Sequence, residues 1–210
     1  HIIVARSDKT TINSIKKFES NIIFQSDKGY GDAILLGLKN VKTKYFCIFN
    51  ADGSFDPYEL KEMYIQMVKK SLDLLFASRY KENAGSEDDT YVTYVGNKIF
   101  SYIGKTLFSL PISDILYTFV IGNTNKVSLL NLKQKDFTLC VELPIIANKN
   151  NLSISDISSN EKPRIGGIKK VNAFKDGLLI MIYMVKLFFI KWKVLFLIFT
   201  KKGLIIEWYA

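Results

Sequence analysis

The chain has 210 residues, 48% of them hydrophobic and 23% charged, which suffices for one domain with a full core and an appendage. Its net charge of +9 is uneven, because residues 161–210 carry 10 basic and 3 acidic side chains. A single histidine, at position 1, excludes a His-based catalytic triad and a His-ligated zinc site. Two cysteines without metal-ligand spacing exclude a disulfide framework and favour a reducing compartment.

Short apolar runs alternate with helical patterns along the first 160 residues. Strands are predicted at residues 2–5, 22–24, 45–49, 72–77 and 152–157, and helices at 11–18, 31–40, 57–70, 91–108 and 137–148. This alternation is typical of an α/β fold with a mainly parallel sheet covered by helices on both faces. The chain opens on strand-like residues without an initiating Met, so we expect an upstream piece of the protein to be missing.

An acidic turn, Asn-Ala-Asp-Gly-Ser-Phe-Asp-Pro, follows the predicted strand at 45–49 and occupies residues 50–57. Asp52 at the carboxyl end of such a strand would face the crevice where ligands of open α/β sheets bind. A hard divalent cation there can neutralise a diphosphate leaving group. Asp56, Pro57 and Glu59 also predict a helix start with an Asp-x-x-Glu capping box. The pattern by itself also fits a strand, a turn and a capped helix without chemistry.

Two polar segments follow. Residues 81–89 separate the predicted strand at 72–77 from the helix at 91–108, and they form either a solvated connection or a substrate lid. Residues 162–170 are basic and lead into the tail. Taken alone, the second segment is typical of a solvated loop.

Residues 178–199 are the most apolar part of the chain, with only Lys186, Lys191 and Lys193 as charged side chains. A basic, aromatic-rich apolar segment suits a membrane surface and not a nucleic-acid groove. Helices in the membrane interface, one spanning helix, and a buried helical hairpin all remain open. A span would place Lys186 near its middle, where a charge is costly.

Five groups of residues, in order, resemble glycosyltransferase family 2 of the GT-A fold, and within it the polyprenyl-phosphate sugar synthases related to dolichyl-phosphate mannose synthase. The matching residues are 28–33 with 37–38, 50–57, 77–80 with 85–88, 110–114, and 163–167 with 169 and 176–178. The resemblance implies a GT-A catalytic domain over residues 1–160 and a basic, apolar, membrane-associated segment over 161–210. The family's first strand and its nucleotide motif have no counterpart, so this strand is expected to be missing.

The resemblance places a donor site around the acidic turn. The second aspartate of the family's Asp-x-Asp motif falls on Asp52 and the first on Asn50, an amide that offers an oxygen without charge. Together with Ser54 these are the implied ligands of Mg²⁺ or Mn²⁺. The implied donor-binding residues are Asp8, Lys28, Gly29, Gly31, Asp32, Asn50, Ala51 and Asp52. For the glycine-rich segment, a tight turn before a helix remains an alternative.

The resemblance also implies an acceptor side, where guanidinium groups are suited to bidentate capture of phosphate. The implied acceptor-binding residues are Ser78, Arg79, Lys98, Arg164 and Lys169. Asp114 and Arg79 are implied to be catalytic together with Asp52. In the family an arginine follows the position of Asp114, and residues 117–120 replace the motif that carries it.

The implied activity is inverting transfer of a hexose from a GDP- or UDP-sugar to a polyprenyl phosphate at the cytoplasmic face of a membrane. Such a phosphate is an anion near pH 7 and needs no strong base. One alternative is a family 2 transferase with a sugar hydroxyl acceptor, for which Asp114, Glu87, Asp88 or Asp89 would serve as base. The other is a non-catalytic relative that binds nucleotide or lipid. The implied partners are the nucleotide sugar, the polyprenyl phosphate and the membrane surface, without nucleic acid, and a homo-oligomer remains open.

Overall fold

The computed structural model describes residues 1–25, 28–166 and 171–201, with side chains up to residue 189. Its strands are β1 (Ile2–Ala5), β2 (Ile22–Gln25), β3 (Tyr45–Ile48), β4 (Leu74–Ser78), β5 (Gly85–Ser86), β6 (Val120–Asn123), β7 (Ile154–Ser158) and β8 (Asn160–Glu161). Its helices are α1 (Lys9–Ile15), α2 (Tyr30–Asn40), α3 (Glu59–Lys69), α4 (Tyr91–Phe108), α5 (Thr124–Ser128), α6 (Leu139–Lys149) and α7 (Ala173–Lys201). Every predicted strand and helix is present within a few residues of its expected bounds.

The central sheet is mixed, which corrects the prediction of a mainly parallel sheet. Its strand order is β3-β6-β4-β7, with β6 antiparallel to both neighbours and β4 parallel to β7. Strand β6 was not predicted. The segment before it carries Asp114 to a contact with Arg79, at the edge where β4 ends, so β6 must start there and run the opposite way. The pairs β1-β2 and β5-β8 are parallel and form two further small sheets.

One edge of the central sheet collects the segments that the sequence singled out. Strands β3, β4 and β7 run in the same direction, so their carboxyl ends lie side by side. The acidic turn follows β3, Arg79 follows β4, and Glu161 follows β7. The topology therefore brings polar residues from three distant parts of the chain to one place, as open α/β sheets do at their ligand crevice.

Helices cover both faces of the central sheet, and alternate residues of β4 divide between two apolar clusters. Leu74 and Phe76 face the cluster that includes α4, α6 and α7. Leu75 and Ala77 face the cluster that includes Met63 and Met67 of α3. Both sides of β4 are therefore withdrawn from water, which explains why its sequence is a continuous apolar run.

Helix α7 is one continuous helix over Ala173–Lys201, so the described part of the tail does not form a helical hairpin. Its inner face buries Ile180, Met184 and Leu187 in the main core. Tyr183 donates a hydrogen bond of 2.7 Å to the buried Glu142 of α6. Among the described residues, none of the helices combines the length and the apolar character that crossing a bilayer requires. Lys202 and the residues after it lie outside the described part.

The start of α3 differs from the predicted capping box. Asp56 Oδ1 accepts a 3.0 Å hydrogen bond from the amide of Tyr58, but the N-cap residue of α3 is Tyr58 and not Asp56. Glu59 does not turn back to Asp56. Its carboxylate accepts from Ser159 Oγ at 2.5 Å and from the amide of Asn160 at 2.9 Å. Glu59 therefore fixes the end of β7 beside the acidic turn.

Candidate functional site

The acidic turn presents the carboxylate of Asp52 in a fixed orientation. Gly53 has a φ of +86°, a conformation that side chains other than glycine rarely adopt. This bend brings Ser54 back to Asp52, whose Oδ1 accepts hydrogen bonds from the Ser54 amide at 3.1 Å and from its Oγ at 2.7 Å. Ser54 is itself buried, and Ala51 is exposed. Oδ1 of Asp52 thus stabilises the turn, and Oδ2 takes no part in these two hydrogen bonds.

A short segment from the far end of the domain lies across this turn. We call residues 162–166 the strap. The amide of Lys162 donates to the carbonyl of Ser54 at 2.9 Å, and the amide of Ile165 donates to the carbonyl of Asp52 at 2.8 Å. The Lys162 ammonium pairs with Asp56 at 2.8 Å. The strap is therefore attached to the acidic turn by two backbone hydrogen bonds and by one ion pair between side chains.

Arg164 of the strap lies between two carboxylates. Its Nη1 is 3.4 Å from Oδ2 of Asp52, and its Nη2 is 3.5 Å from Oδ2 of Asp88 in the polar loop. All three side chains are only partly exposed, at 26%, 19% and 19% respectively. The sequence assigned Arg164 to the acceptor side, and the structure places it against the principal donor-side carboxylate.

Asn50 is held by residues that the sequence did not single out as functional. The Tyr30 hydroxyl donates to Asn50 Oδ1 at 3.0 Å and lies 2.5 Å from Thr118 Oγ1. The Tyr30 ring stacks on Phe137 with centroids 5.1 Å apart. Burial raises the pKa of the Tyr30 phenol, which therefore stays protonated and able to donate. The only sequence signal for this role was the position of Tyr30 between two glycines at a predicted helix start.

The two glycines beside Tyr30 are required by the protein's own backbone. A Cβ atom on Gly29 would lie 2.1 Å from the carbonyl oxygen of Lys135, and one on Gly31 would lie 2.4 Å from that of Gln134. Gly29 also has a φ of +120°. The glycine-rich segment is thus a tight turn before α2, packed against residues 134–136.

Three other predicted donor residues lie around α1 and α2. Asp8 caps α1 by accepting from the amide and hydroxyl of Thr11 at 3.0 and 2.8 Å. Asp32 is buried in the first turn of α2, 3.9 Å from the Lys135 ammonium. Lys28 is exposed. The placements of Asp8 and Asp32 therefore have local structural explanations.

Arg79 is buried in a cluster of acids at the end of β4. Its Nε and Nη2 donate to both oxygens of Asp114, at 2.7 and 3.1 Å, and its Nη1 donates to Glu161 at 3.1 Å. Burial by itself lowers the pKa of Arg79, but Asp114 and Glu161 outweigh it and hold that pKa well above its ordinary value. Asp114 is completely buried. In this arrangement Arg79 and Asp114 bind each other, and neither faces an open crevice.

The structure does not bring the remaining predicted acceptor-binding residues together. Ser78 is fully buried and bonds Ser113, which donates to Asp156. The Lys98 ammonium lies over the Tyr80 ring, 4.5 Å from its centroid. Lys169 lies outside the described residues. Glu161 and Asp156, which organise this region, carried no recognisable signal because their role depends on pairing between strands.

The predicted metal ligands fit a cation only in part. Oδ1 of Asn50 accepts from Tyr30, and Ser54 donates to Asp52, so Asp52 Oδ2 is the oxygen best placed to bind one. Over the described ranges, no group of three or more His, Cys, Asp or Glu side chains is arranged to hold a metal ion. One carboxylate is nevertheless sufficient for Mg²⁺ or Mn²⁺ when substrate phosphates and water complete the coordination. The donor set therefore fits a cation that arrives with a diphosphate.

Comparison with known proteins gives matches in sequence and in structure. The profile described as glycosyl transferase family 2 matches residues 2–127. An uncharacterized glycosyltransferase of Mycobacterium tuberculosis is 26% identical over 185 residues, covering 86% of this chain and 81% of the relative. A UDP-N-acetylglucosamine–dolichyl-phosphate N-acetylglucosaminyltransferase of Methanococcus voltae is 25% identical over 138 residues, covering 63% of this chain and 55% of the relative.

Solved structures share the fold at much lower sequence identity. Glucosyl-3-phosphoglycerate synthase of M. tuberculosis, in complex with Mn²⁺, UDP and phosphoglyceric acid, superimposes with a TM-score of 0.66 at 9% identity and covers 89% of this chain. Mannosyl-3-phosphoglycerate synthase of Rubrobacter xylanophilus gives 0.62 at 12% identity, again over 89% of this chain. The chain spans 65% and 62% of these two proteins. These likenesses support an α/β fold of the GT-A type for this chain.

Proposed function

The chain belongs to glycosyltransferase family 2, and from this premise we propose that it moves a hexose from a nucleotide sugar to a polyprenyl phosphate, with inversion, at the cytoplasmic face of a membrane. The donor is a GDP- or UDP-hexose. The finding that a relative with 25% identity is named for transfer to dolichyl phosphate supports a lipid-phosphate acceptor.

The observation that carries the proposal is that Asp114 is buried and paired with Arg79. A sugar hydroxyl acceptor requires a general base that can take its proton. Asp114 is fully buried, and both of its oxygens accept hydrogen bonds from Arg79. Of the other candidate bases, Asp88 and Asp89 are paired with arginines, and Glu87 is exposed to water. A phosphate acceptor is already ionised near pH 7, so this site favours it.

The transfer needs charge neutralisation and positioning from the protein. An oxygen of the acceptor phosphate forms a bond to the anomeric carbon while the bond from that carbon to the donor diphosphate breaks, and no proton has to be removed. Asp52 would hold Mg²⁺ or Mn²⁺, which supplies positive charge to the departing diphosphate when bound. Asn50 is fixed by Tyr30 beside the same turn. Arg164 brings a guanidinium to this side of the site.

The surface of α4 and α7 supports a location at a membrane. The two helices pack against each other and expose apolar side chains along their outer sides. These are Tyr91, Val92, Tyr94, Ile99, Tyr102 and Leu107 on α4, and Phe174, Leu178, Leu179, Ile182, Val185 and Phe189 on α7. Lysines at positions 98, 105, 175 and 186 are exposed on the same helices. Aromatic, aliphatic and cationic groups in this combination suit an anionic membrane surface.

The test is incorporation of labelled sugar into extracted lipid. Membranes from cells that make the full chain are supplied with UDP- or GDP-hexose carrying ¹⁴C, with Mn²⁺ present, and the lipid phase is counted. We expect label in an acid-labile lipid, and we expect Asp52→Ala to abolish it. Glu62→Ala is the matched control and should retain the wild-type signal, because Glu62 is an exposed acid on α3 that accepts a hydrogen bond from Gln66.

Two other outcomes would contradict the lipid acceptor. Label confined to the water-soluble product would indicate a hydroxyl acceptor. Binding of the nucleotide without label in either phase would indicate a relative that does not turn over.

A further inference from the structure

The carboxylate of Asp52 already has a cation beside it. Its Oδ1 is committed to Ser54, and its Oδ2 lies 3.4 Å from Nη1 of Arg164. The same guanidinium reaches Asp88 with its other terminal nitrogen at 3.5 Å. The positive charge of Arg164 therefore lies between two carboxylates.

The guanidinium of Arg164 is held only loosely. Both ion-pair distances are longer than the 2.7–2.9 Å that is usual for a charge-assisted hydrogen bond. Its Nε is buried and has no hydrogen-bond partner within the described part of the chain. A buried donor without a partner is destabilising. The side chain is therefore poised to exchange its present partners for a better acceptor.

The strap does not depend on Arg164 for its attachment. Two backbone hydrogen bonds to the acidic turn and the pair between Lys162 and Asp56 remain when the arginine side chain turns away. Ile165 also packs over Gly53, where an added Cβ would lie 2.7 Å from its Cδ1. Rotation of one side chain is thus sufficient to change the charge beside Asp52.

We propose that Arg164 is the counter-ion of Asp52 in the nucleotide-free protein and transfers to the donor diphosphate when a divalent cation binds Asp52. This inference rests on the proposed use of a nucleotide sugar. The cation and the guanidinium compete for the same oxygen, so the cation binds weakly alone. A diphosphate accepts the displaced guanidinium, because planar bidentate pairing with phosphate suits arginine. Cation and nucleotide therefore bind cooperatively, and each promotes the other by the same factor.

Binding measurements on the full chain test this without turnover. MnCl₂ is titrated alone and the free ion is counted by electron paramagnetic resonance, first with wild type and then with Arg164→Gln. We expect Arg164→Gln to bind Mn²⁺ alone about tenfold more tightly, a typical size for the coupling between two sites. Lys162→Gln is the matched control, since it removes a strap cation that pairs with Asp56. It should change Mn²⁺ affinity by about twofold or less, as expected for an exposed pair.

The same titration in the presence of UDP, and separately of GDP, measures the coupling. In wild type the accepted nucleotide should raise Mn²⁺ affinity by about tenfold or more. In Arg164→Gln the nucleotide should bind more weakly and this coupling factor should be smaller, retaining only the part that direct coordination of the cation by the diphosphate supplies. Arg164→Lys keeps the charge without the planar fork, so it should retain weak binding of Mn²⁺ alone but lose part of the coupling.

Three results would overturn the inference. The first is that a folded Arg164→Gln binds Mn²⁺ no more tightly than wild type does. The second is that Arg164→Gln and Lys162→Gln change Mn²⁺ affinity equally. The third is that wild type binds no Mn²⁺ with either nucleotide. If Arg164→Gln does not fold, either of two other results would overturn the inference. One is that nucleotide does not change the Mn²⁺ affinity of wild type, and the other is that Arg164→Lys shows the same coupling as wild type. Because no sugar is transferred in these titrations, cooperative binding without lipid labelling would refute the proposed acceptor and leave the role of Arg164 standing.

Discussion

At the scale of single residues, Asn50 and Asp52 lie two positions apart on one turn but have different neighbours. Asn50 Oδ1 accepts from Tyr30, whereas Asp52 Oδ2 faces Arg164. An amide at position 50 can take the phenolic hydrogen bond without adding a second negative charge beside Asp52. The departure from the family's acidic pair is thus matched by a tyrosine that fixes the amide.

Tyr30→Phe tests whether this tyrosine positions Asn50. The substitution keeps the ring stack on Phe137 but removes the hydrogen bonds to Asn50 and Thr118. We expect a loss of roughly 0.5–1.5 kcal/mol in the free energy of unfolding, the usual net value of a hydrogen bond, measured by urea denaturation. Nucleotide affinity should also fall, because the amide is no longer oriented.

The matched control is Tyr102→Phe, which removes a hydroxyl from a tyrosine that is 69% exposed on α4. It should leave both stability and nucleotide affinity unchanged. Equal effects of the two variants would show that Tyr30 has no special role.

At the scale of secondary-structure elements, the glycines of the segment at the start of α2 are explained by packing within the protein. The resemblance to the family implied that Gly29 and Gly31 bind the nucleotide donor. The structure shows that Gly29 and Gly31 meet the backbone carbonyls of residues 134–136. The same loop donates two amides, from Lys133 and Gln134, to the buried Glu142 of α6. Helix α2 is therefore positioned by contact with a segment far away in sequence.

Gly31→Ala and Gly96→Ala form a matched pair for this conclusion. A Cβ on Gly31 would meet the carbonyl oxygens of Gln134 and Asp136 at 2.4 and 2.7 Å, whereas one on Gly96 in α4 would meet nothing within 4 Å. We expect Gly31→Ala to destabilise the fold by roughly 1–3 kcal/mol through overpacking. Gly96→Ala should stabilise it by roughly 0.5–1 kcal/mol through helix propensity. Urea denaturation measures both, and equal values would contradict the packing explanation.

At the scale of the whole molecule, helix α7 joins the core to an exposed apolar surface. Its inner side chains, such as Met184 and Leu187, are buried, while Leu178 and Ile182 are 62% and 57% exposed. A surface helix usually has a polar outer side. A helix that is apolar on both its inner and its outer side is unusual where the outer side contacts only water. The lysines on α4 and α7 place positive charge next to this surface.

The double variant Leu178→Glu with Ile182→Glu tests whether this apolar surface binds a membrane, as we propose. Each substitution removes a side chain worth roughly 1.5 kcal/mol on burial, so binding to vesicles of phosphatidylglycerol and phosphatidylcholine should fall by about tenfold or more. Co-sedimentation measures the bound fraction. Leu129→Glu alters a leucine that is 80% exposed outside these two helices and should bind as wild type does. Equal binding by all three proteins would contradict this surface.

The sequence alone determined the local structure and the family. Helical and strand periodicity depends on neighbouring residues, so α4 was predicted with its observed bounds and β4 to within two residues. Turn chemistry is local too, which is why Asp52 was identified at the end of β3. The sequence alone also carried the resemblance to glycosyltransferase family 2, which the matched profile confirms.

Only the tertiary structure decided the direction of β6 and the partners of the charged residues. The antiparallel placement of β6 depends on where the preceding segment meets β4. Arg79 pairs with Asp114 and Glu161, and Arg164 pairs with Asp52 and Asp88, across strands that are distant along the chain. An ion pair depends on separation in space, and that separation is set by sheet order, which no local pattern encodes.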